Sequence, residues 1–388
     1  MHVGLEATTL RSPQLGGVWR YTDSLIRALG RATAPHRYSL LFLNAFKPWA
    51  RVPPPNVSSP TMRLVEVSSV SNLLFTFFVP MLARTGRGAT VESFLGPVDV
   101  FHSVNAAVLP QRKGRRVVTV HDLTCLHFPE FHPWTRRTLF RLGIRRAARL
   151  ADAIIVPSSA TKSDLVARFP DTEPRIHVIP EAHGEQFLPL NPTATRRVIG
   201  QYGLQYRDYL LFAGNVEPRK NLLAVIDAYN RLRRRVGAAP CLVIAGGEGW
   251  KNRPIHHAAA ASPFAGDIRF LGRVTDAALP ALMSGALAFV YPSLYEGFGL
   301  PPLEAMACGT PVITSNRSSL PEVVGAAALL VDPGDTGELA DAMARIVDDE
   351  PLREDLRERG LKQAQSFSWD ETARMTVRVY ESVLGRQS

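Results

Sequence analysis

Two glutamates with seven residues between them carry the sharpest chemical signal in this chain. Glu296 stands in Tyr291-Pro292-Ser293-Leu294-Tyr295-Glu296-Gly297-Phe298-Gly299-Leu300-Pro301-Pro302-Leu303, and Glu304 follows in Glu304-Ala305-Met306-Ala307-Cys308-Gly309. Glycines let backbone N–H groups come close to a ligand. A helix start near Leu300–Leu303 offers unpaired donors and a dipole that favours phosphate. Carboxylates accept hydrogen bonds from hydroxyls, so two at this spacing can hold two polyol groups of one ligand. Taken alone, such a loop is also an ordinary helix start. A second group lies in Phe212-Ala213-Gly214-Asn215-Val216-Glu217-Pro218-Arg219-Lys220-Asn221. Two adjacent cations at the start of a helix oppose its dipole, and a bound anion would supply the reason for them. Solvated surface charges are the plainer alternative. The third is His121-Asp122 after the apolar run Val117-Val118-Thr119-Val120, where an open α/β sheet meets ligands. The fourth is Gly16-Gly17-Val18-Trp19-Arg20-Tyr21 before the first helix; it lacks the G-x-G-x-x-G form of a dinucleotide site.

These groups need strands and helices to carry them. β-rich runs at Val3–Ala7, Ser39–Leu43, Met62–Val67, Val98–Ser103, Arg116–Val120, Ala153–Pro157 and Arg175–Ile179 alternate with helical stretches at Val18–Arg31, Ser71–Ala83, Pro133–Leu150 and Ser159–Arg168. Ala182–Thr195, with Pro189 and Pro192, reads as a linker. The alternation then restarts at Tyr209–Ala213, and the helices Thr336–Asp348, Leu352–Ser366 and Asp370–Leu384 close the chain. The helix expected next to the cation pair spans Arg219–Val236. Alternating strands and helices imply parallel sheets with crossover connections.

Composition sets the outer limits. At 388 residues, with 46% hydrophobic and 21% charged residues, the chain suits two globular domains. Its three cysteines, Cys125, Cys241 and Cys308, have no metal-ligand spacing and fit a reducing, cytosolic compartment. Neither the N-terminus nor the apolar stretch Leu73–Ala83 reads as a signal peptide or a membrane span. Residues 1–190 carry 23 Lys and Arg against 13 Asp and Glu, which is the whole of the net +10. The asymmetry speaks of partners, not of fold.

The Glu296–Val312 segment resembles the family 4 retaining glycosyltransferases, a mannosyltransferase-like group of glycosyl transferases group 1. Their signature is E-G-F-G-x-x-x-x-E followed by A-x-A-x-G-x-P-V, and Glu296-Gly297-Phe298-Gly299…Glu304-Ala305-Met306-Ala307-Cys308-Gly309-Thr310-Pro311-Val312 matches throughout. The resemblance implies the α/β GT-B fold: two Rossmann-like doubly wound domains facing a central cleft, with a C-terminal helix returning towards the N-terminal domain. The corresponding boundaries are 1–190, 191–370 and 371–388. It implies that Glu304 binds the ribose and Glu296 the donor sugar, with the amides of Phe298, Gly299 and Leu300 facing sugar and diphosphate. Lys220 matches the family's diphosphate lysine, beside Arg219. Asn215 departs from the commoner arginine after the glycine, so that part of the phosphate clamp is either missing or supplied by Arg219. His121 becomes the catalytic-site histidine, with Asp122 orienting it or binding substrate; His102 reads as structural. Gly16 and Gly17 would approach the diphosphate, Arg20 and Tyr21 the acceptor, and Gly246 and Val274 the nucleotide.

The same resemblance implies transfer with retention by front-face displacement, since no carboxylate presents itself as a nucleophile. No D-x-D triplet follows a strand, so no metal or cofactor is expected beyond a nucleotide-sugar substrate. The E-P-R-K-N form favours GDP-mannose over a UDP-sugar as donor. The basic stretch Thr135–Arg146, with interleaved apolar residues, suits an anionic membrane face and a lipid-linked saccharide acceptor in envelope polysaccharide assembly. An ordinary helix with one buried and one charged face fits it equally. A soluble acceptor with a UDP-glucose or UDP-N-acetylglucosamine donor, and a basic nucleic-acid-binding protein, are the alternatives; no nucleic-acid motif supports the second.

Overall fold

A computed structural model describes residues 1–11, 16–32, 36–45, 59–69, 89–237 and 239–385. The helix expected over Ser71–Ala83 lies outside these residues. The chain divides into two compact units. Unit 1 comprises Met1–Leu126, Trp134–Glu181 and Trp369–Ser388; unit 2 comprises His127–Pro133 and Ala182–Ser368.

Unit 1 is built on the strands β1 (His2–Glu6), β2 (Arg37–Ala45), β3 (Met62–Ser69), β4 (Val100–Ser103), β5 (Arg115–Thr119), β6 (Ala153–Val156) and β7 (Ile176–Val178). They pair in the order β3-β2-β1-β4-β5-β6-β7, every pair parallel. Its helices include α1 (Gly17–Arg31), α2 (Trp134–Leu150) and α3 (Ser159–Arg168). The Ser158 side chain caps α3 by accepting from the Thr161 amide, as its position after a strand suggests. α1 buries Tyr21, Thr22, Leu25, Ile26, Ala28 and Leu29, one face at helical spacing.

In unit 2, α4 (Pro192–Gly200) begins inside the stretch Ala182–Thr195 expected as linker and runs past its end. The prolines that argued against structure there include Pro192 at the helix start, where its missing N–H costs nothing, and the Asn191 side chain caps the Thr193 amide. The strands β8 (Tyr209–Ala213), β9 (Cys241–Ala245), β10 (Ile268–Gly272), β11 (Ala288–Tyr291), β12 (Val312–Ser315) and β13 (Leu329–Val331) form a parallel sheet in the order β10-β9-β8-β11-β12-β13. β8 and β11 are buried along their whole length, as central strands covered on both faces must be. The rings of Phe212, Tyr291 and Phe289 stack in sequence across these two strands, with centroids 5.5 and 5.7 Å apart. The helices α5 (Leu222–Val236) and α6 (Leu300–Ala307) follow β8 and β11.

The last helix, α7 (Trp369–Gly385), belongs to unit 1. Thr372 donates to the Pro180 carbonyl at 2.7 Å, and the Tyr380 hydroxyl meets His102 Nδ1 at 2.7 Å. In each sheet the strand order reverses direction once, between β1 and β4 in unit 1 and between β8 and β11 in unit 2. Ligands of doubly wound sheets bind at the carboxyl side of such switch points.

Candidate active site

The loops after β8 and β11 flank the switch point of unit 2, and they carry Lys220 and Glu296. β8 leads through Gly214-Asn215-Val216-Glu217 into a tight turn at Pro218–Lys220. Asn221 takes a left-handed φ of 61° and only then does α5 begin, at Leu222. Arg219 and Lys220 therefore precede the helix; the boundary expected at Arg219 lies three residues too early. The Gly214 amide donates to Ala245 O at 2.9 Å and the Gly246 amide to Gly272 O at 2.8 Å, so the loops after β8, β9 and β10 are laced together. A Cβ at Gly246 would overlap the carbonyl oxygen of Gly214, which leaves glycine as the residue that fits.

Four charged side chains meet here. Arg219 reaches Glu217 Oε1 at 2.9 Å and Glu296 Oε2 at 2.8 Å, and Lys220 Nζ reaches Glu296 Oε1 at 2.6 Å. The Tyr291 hydroxyl donates to the same Glu296 oxygen at 3.0 Å and receives Lys220 Nζ. Two cations thus face two carboxylates, and the reason for the cations is in part internal. Glu217 and Glu296 balance them before any anion arrives. Burial alone would raise the Glu296 carboxyl, but Arg219 and then Lys220 outweigh it and hold it at about 2. Burial, and then Arg219, push the Lys220 ammonium below its ordinary value, against the pull of both glutamates.

Gly299 caps α6 with φ 121°, a backbone conformation that residues with a side chain rarely adopt, and a Cβ there would also press on Leu320 Cδ2 at 2.9 Å. Pro301 and Pro302 lack N–H groups, and the Leu303 amide turns back to Gly299 O at 3.3 Å. The donors at this helix start therefore narrow from Leu300–Leu303 to the amides of Phe298, Gly299 and Leu300. Two serines hold the loop from behind. Ser318 Oγ accepts from the Glu296 amide at 3.1 Å and donates to the Glu296 carbonyl; the Ser319 hydroxyl shares its one hydrogen between Glu296 O at 2.9 Å and Phe298 O at 2.5 Å. Glu304 lies one turn into α6, 1% exposed. Asn215 is exposed on the β8 loop, and Val274 packs half-buried against the unit 2 core beyond β10.

In unit 1, His121 follows β5. Its Nε2 lies 2.9 Å from the Val104 carbonyl and its Nδ1 3.2 Å from Glu181 Oε1. The carboxylate on this histidine is Glu181, from beyond β7, and not the adjacent Asp122, which caps the Thr124 amide at 3.0 Å. Burial works to lower the His121 pKa, but the hydrogen bond and charge of Glu181 outweigh it and raise it. Tyr21, expected at the acceptor, is 2% exposed, with its ring edge-on to His121 at 4.6 Å and its hydroxyl 3.1 Å from Thr119 Oγ1. Its place one turn into an amphipathic helix turns it to the core, where it walls His121. Arg20 is half-buried, and Gly16 caps α1 with φ 60°, Gly17 being the first helical residue. His102 is fully buried between Tyr380 and Thr119, and burial, then His121, press it down to about 3.

The residues named from sequence thus gather at two places. Asn215, Arg219, Lys220, Gly246, Glu296, Phe298, Gly299, Leu300 and Glu304 cluster on the loops and helix starts at the carboxyl edge of the unit 2 sheet; His121, Asp122 and Tyr21 gather in unit 1. Glu181, Glu217, Tyr291, Ser318 and Ser319 were not singled out. Glu217 and Tyr291 stand inside the quoted motifs and could have been found there. Glu181 and the serines carry no spacing signal, because only the folded sheet brings them to their partners. Among the described residues no three His, Cys, Asp or Glu group as metal ligands, and no helix is long and apolar enough to cross a membrane.

Two parallel doubly wound sheets, with cations and carboxylates at the switch point of one of them, fit a GT-B glycosyltransferase. Residues 15–182 match the profile of Glycosyltransferase Family 4 and residues 200–363 that of Glycosyl transferases group 1. The O-antigen chain mannosyltransferase B of Escherichia coli is 36% identical over 73% of this chain and 74% of its own length. The serotype-specific mannosyltransferase WbdA of Escherichia coli is 32% identical over 60% of this chain and 29% of its own length. Among solved structures, the sucrose-phosphate synthase of Thermosynechococcus elongatus superposes with a TM-score of 0.79 at 22% identity, covering 100% of both chains. The chain belongs to the family 4, group 1 glycosyltransferases.

Proposed function

We propose that this glycosyltransferase transfers mannose from GDP-mannose to a hydroxyl of a lipid-linked saccharide in polysaccharide assembly, with retention and without a metal. The observation that carries the reading is the Arg219–Lys220–Glu296 cluster beside the amides of Phe298, Gly299 and Leu300 at the carboxyl edge of a parallel sheet. The mannosyl choice rests on the 36% identity to the O-antigen mannosyltransferase. On this reading Lys220 and Arg219 take the diphosphate, the three amides its oxygens, and Glu304 the ribose hydroxyls. Gly16, Gly17, Asn215, Gly246 and Val274 complete the donor contacts. Glu296 and His121 contact the sugar, and Arg20 and Asp122 the acceptor. A cation that the diphosphate draws away from Glu296 would supply the neutralisation a metal otherwise gives to the leaving group.

A carboxylate bonded to two cations is a poor nucleophile, which favours front-face displacement over a covalent intermediate. The C1–phosphate bond breaks, the C1–acceptor oxygen bond forms on the same face, and the acceptor proton passes to the leaving phosphate oxygen. The membrane side of the proposal rests on α2, which carries Arg136, Arg137, Arg141, Arg145, Arg146 and Arg149 and no acidic residue, with Trp134 exposed to 73% and Leu142 to 45%. Anionic vesicles should sediment the protein at low salt and release it at high salt.

A thermal-shift series with GDP-mannose, GDP, UDP-glucose and UDP-N-acetylglucosamine tests the donor. A ligand at 100 times its Kd stabilises the native state by about 2.7 kcal/mol. GDP and GDP-mannose should raise the melting temperature. A rise with UDP-sugars alone overturns the donor, and no rise with any at millimolar concentration overturns the site.

A further inference from the structure

His121 has no nitrogen to spare. Its Nε2 faces the carbonyl of Val104, which can only accept, so Nε2 carries a hydrogen. Its Nδ1 faces Glu181, whose side chain is 6% exposed. We infer that Glu181 is a positioning residue that fixes His121 as an imidazolium with both ring nitrogens donating, so that the histidine serves the reaction as a set positive charge and cannot take a proton from the acceptor. This rests on the reading that places His121 among the residues contacting the sugar.

The surroundings agree. The groups that face the ring are Glu181 from the segment after β7, Asp122 on its own loop, Tyr21 from α1 and His102 from β4. The first two are carboxylates, and burial keeps the Tyr21 hydroxyl neutral. His102 is neutral as well, since burial holds it at about 3 and its nitrogens are spent on Tyr380 and Thr119. No cation among these groups competes with His121 for Glu181. The ring is held on three sides, by Val104, by Glu181 and by the edge-on ring of Tyr21 at 4.6 Å, so its orientation is set before a substrate arrives. A general base needs a free lone pair aimed at the proton it removes. A fixed imidazolium supplies instead a charge that favours an electron-rich leaving group or sugar oxygen, and leaves proton removal to the departing phosphate.

The test has two arms, using the full chain. Long-range proton–nitrogen NMR of histidine-labelled protein reads the ring directly, with His121→Gln identifying its signals. Both His121 nitrogens should show protonated shifts at pH 7, and Glu181→Gln should convert the ring to the neutral form. Steady-state kinetics give the second arm. The alkaline limb of kcat should fall by about one pH unit or more in Glu181→Gln, with KM for the donor changed little, and Glu181→Asp should restore part of the limb. A neutral His121 ring at pH 7 in the wild type, or an unmoved limb in Glu181→Gln, overturns the inference; the wild-type spectrum decides it even if the variant does not fold. Wild-type kinetics in His121→Ala would overturn the placement of His121 in the site, a failure separate from any result of the spectrum.

Discussion

The two charged clusters, one in each unit, are built on different plans. In unit 2 both cations and Glu296 have more than one partner: Glu296 is held by Arg219, Lys220 and Tyr291, Lys220 also meets Tyr291, and Arg219 also binds Glu217. In unit 1 the His121 ring has one carboxylate and one carbonyl, each meeting a single nitrogen. Redundancy permits exchange. On the proposed reading a diphosphate can draw one cation from Glu296 while the other keeps the carboxylate charged and in place. The unit 1 pair has no such reserve, so it is suited to hold a fixed charge. On that reading the ligand would reorganise one cluster and leave the other as it is.

Removing a cation is the severest way to break this comparison. Lys220→Ala deletes the ammonium that would follow charge onto the leaving group, and kcat should fall on the order of 10²–10³-fold, as for the loss of one preorganised donor. It also removes one of the two cations on Glu296, so the Glu296 carboxyl should titrate higher. Single-turnover kinetics with saturating donor separates this loss from weaker binding. If kcat stays within a few-fold, the exchange of partners has no part in turnover.

A smaller effect is expected at Glu304, which on the proposed reading acts on binding and not on developing charge. Glu304→Ala should weaken free GDP about 10–100-fold, the cost of one or two charge-assisted hydrogen bonds to hydroxyls. Titration calorimetry with GDP measures it. A mannose-1-phosphate fragment, which lacks the ribose, should bind variant and wild type alike; equal losses for both would remove the ribose assignment.

How much of this could be read beforehand depended on where partners lie in the chain. The β11–α6 segment was legible because strand, glycine loop, both glutamates and helix are contiguous between Tyr291 and Ala307. The parallel alternation likewise announced two doubly wound sheets. Position alone misled at Arg219, where the helical run was extended over a turn that Pro218 and the left-handed Asn221 separate from the helix. It misled again at Pro192, read as part of a linker where it starts α4. Glu181 was invisible, since nothing in Ile179-Pro180-Glu181-Ala182 marks a partner for a residue sixty positions earlier. Contacts made by the sheet edge, between loops that share no sequence neighbourhood, are the ones that pattern reading misses.

The contrast also has a pH signature. His121 has its folded pKa raised, so its contribution to stability is full below its unfolded value and is lost as pH rises through the folded one. Glu296 has its folded pKa lowered, so its contribution is present above the unfolded value and is lost as pH falls towards about 2. Each pKa unit is worth on the order of 1.4 kcal/mol. Melting curves from pH 3 to 9 should lose their alkaline slope in Glu181→Gln and their acid slope in Glu296→Gln. Identical slopes in both variants would show that the titrations are not divided between the units in this way.

The smallest expected effect is at Ser318, and its sign can be worked out. Ser318 holds a left-handed φ of 58°, which costs a residue with a side chain about 1 kcal/mol. In return its hydroxyl bonds both the amide and the carbonyl of Glu296, pinning the backbone on which the four-charge cluster depends. Ser318→Ala keeps the strain and loses both bonds, each worth about 1 kcal/mol. Ser318→Gly loses the same bonds but relieves the strain. Stability by denaturant titration should therefore run wild type, then Ser318→Gly, then Ser318→Ala, with steps of about 1 kcal/mol. Both variants should raise KM for the donor more than they lower kcat, because the loop is loosened while Lys220 and Glu296 remain. If Ser318→Ala proves as stable as the wild type, the serine is not holding the loop, and the order in unit 2 comes from the charged cluster alone.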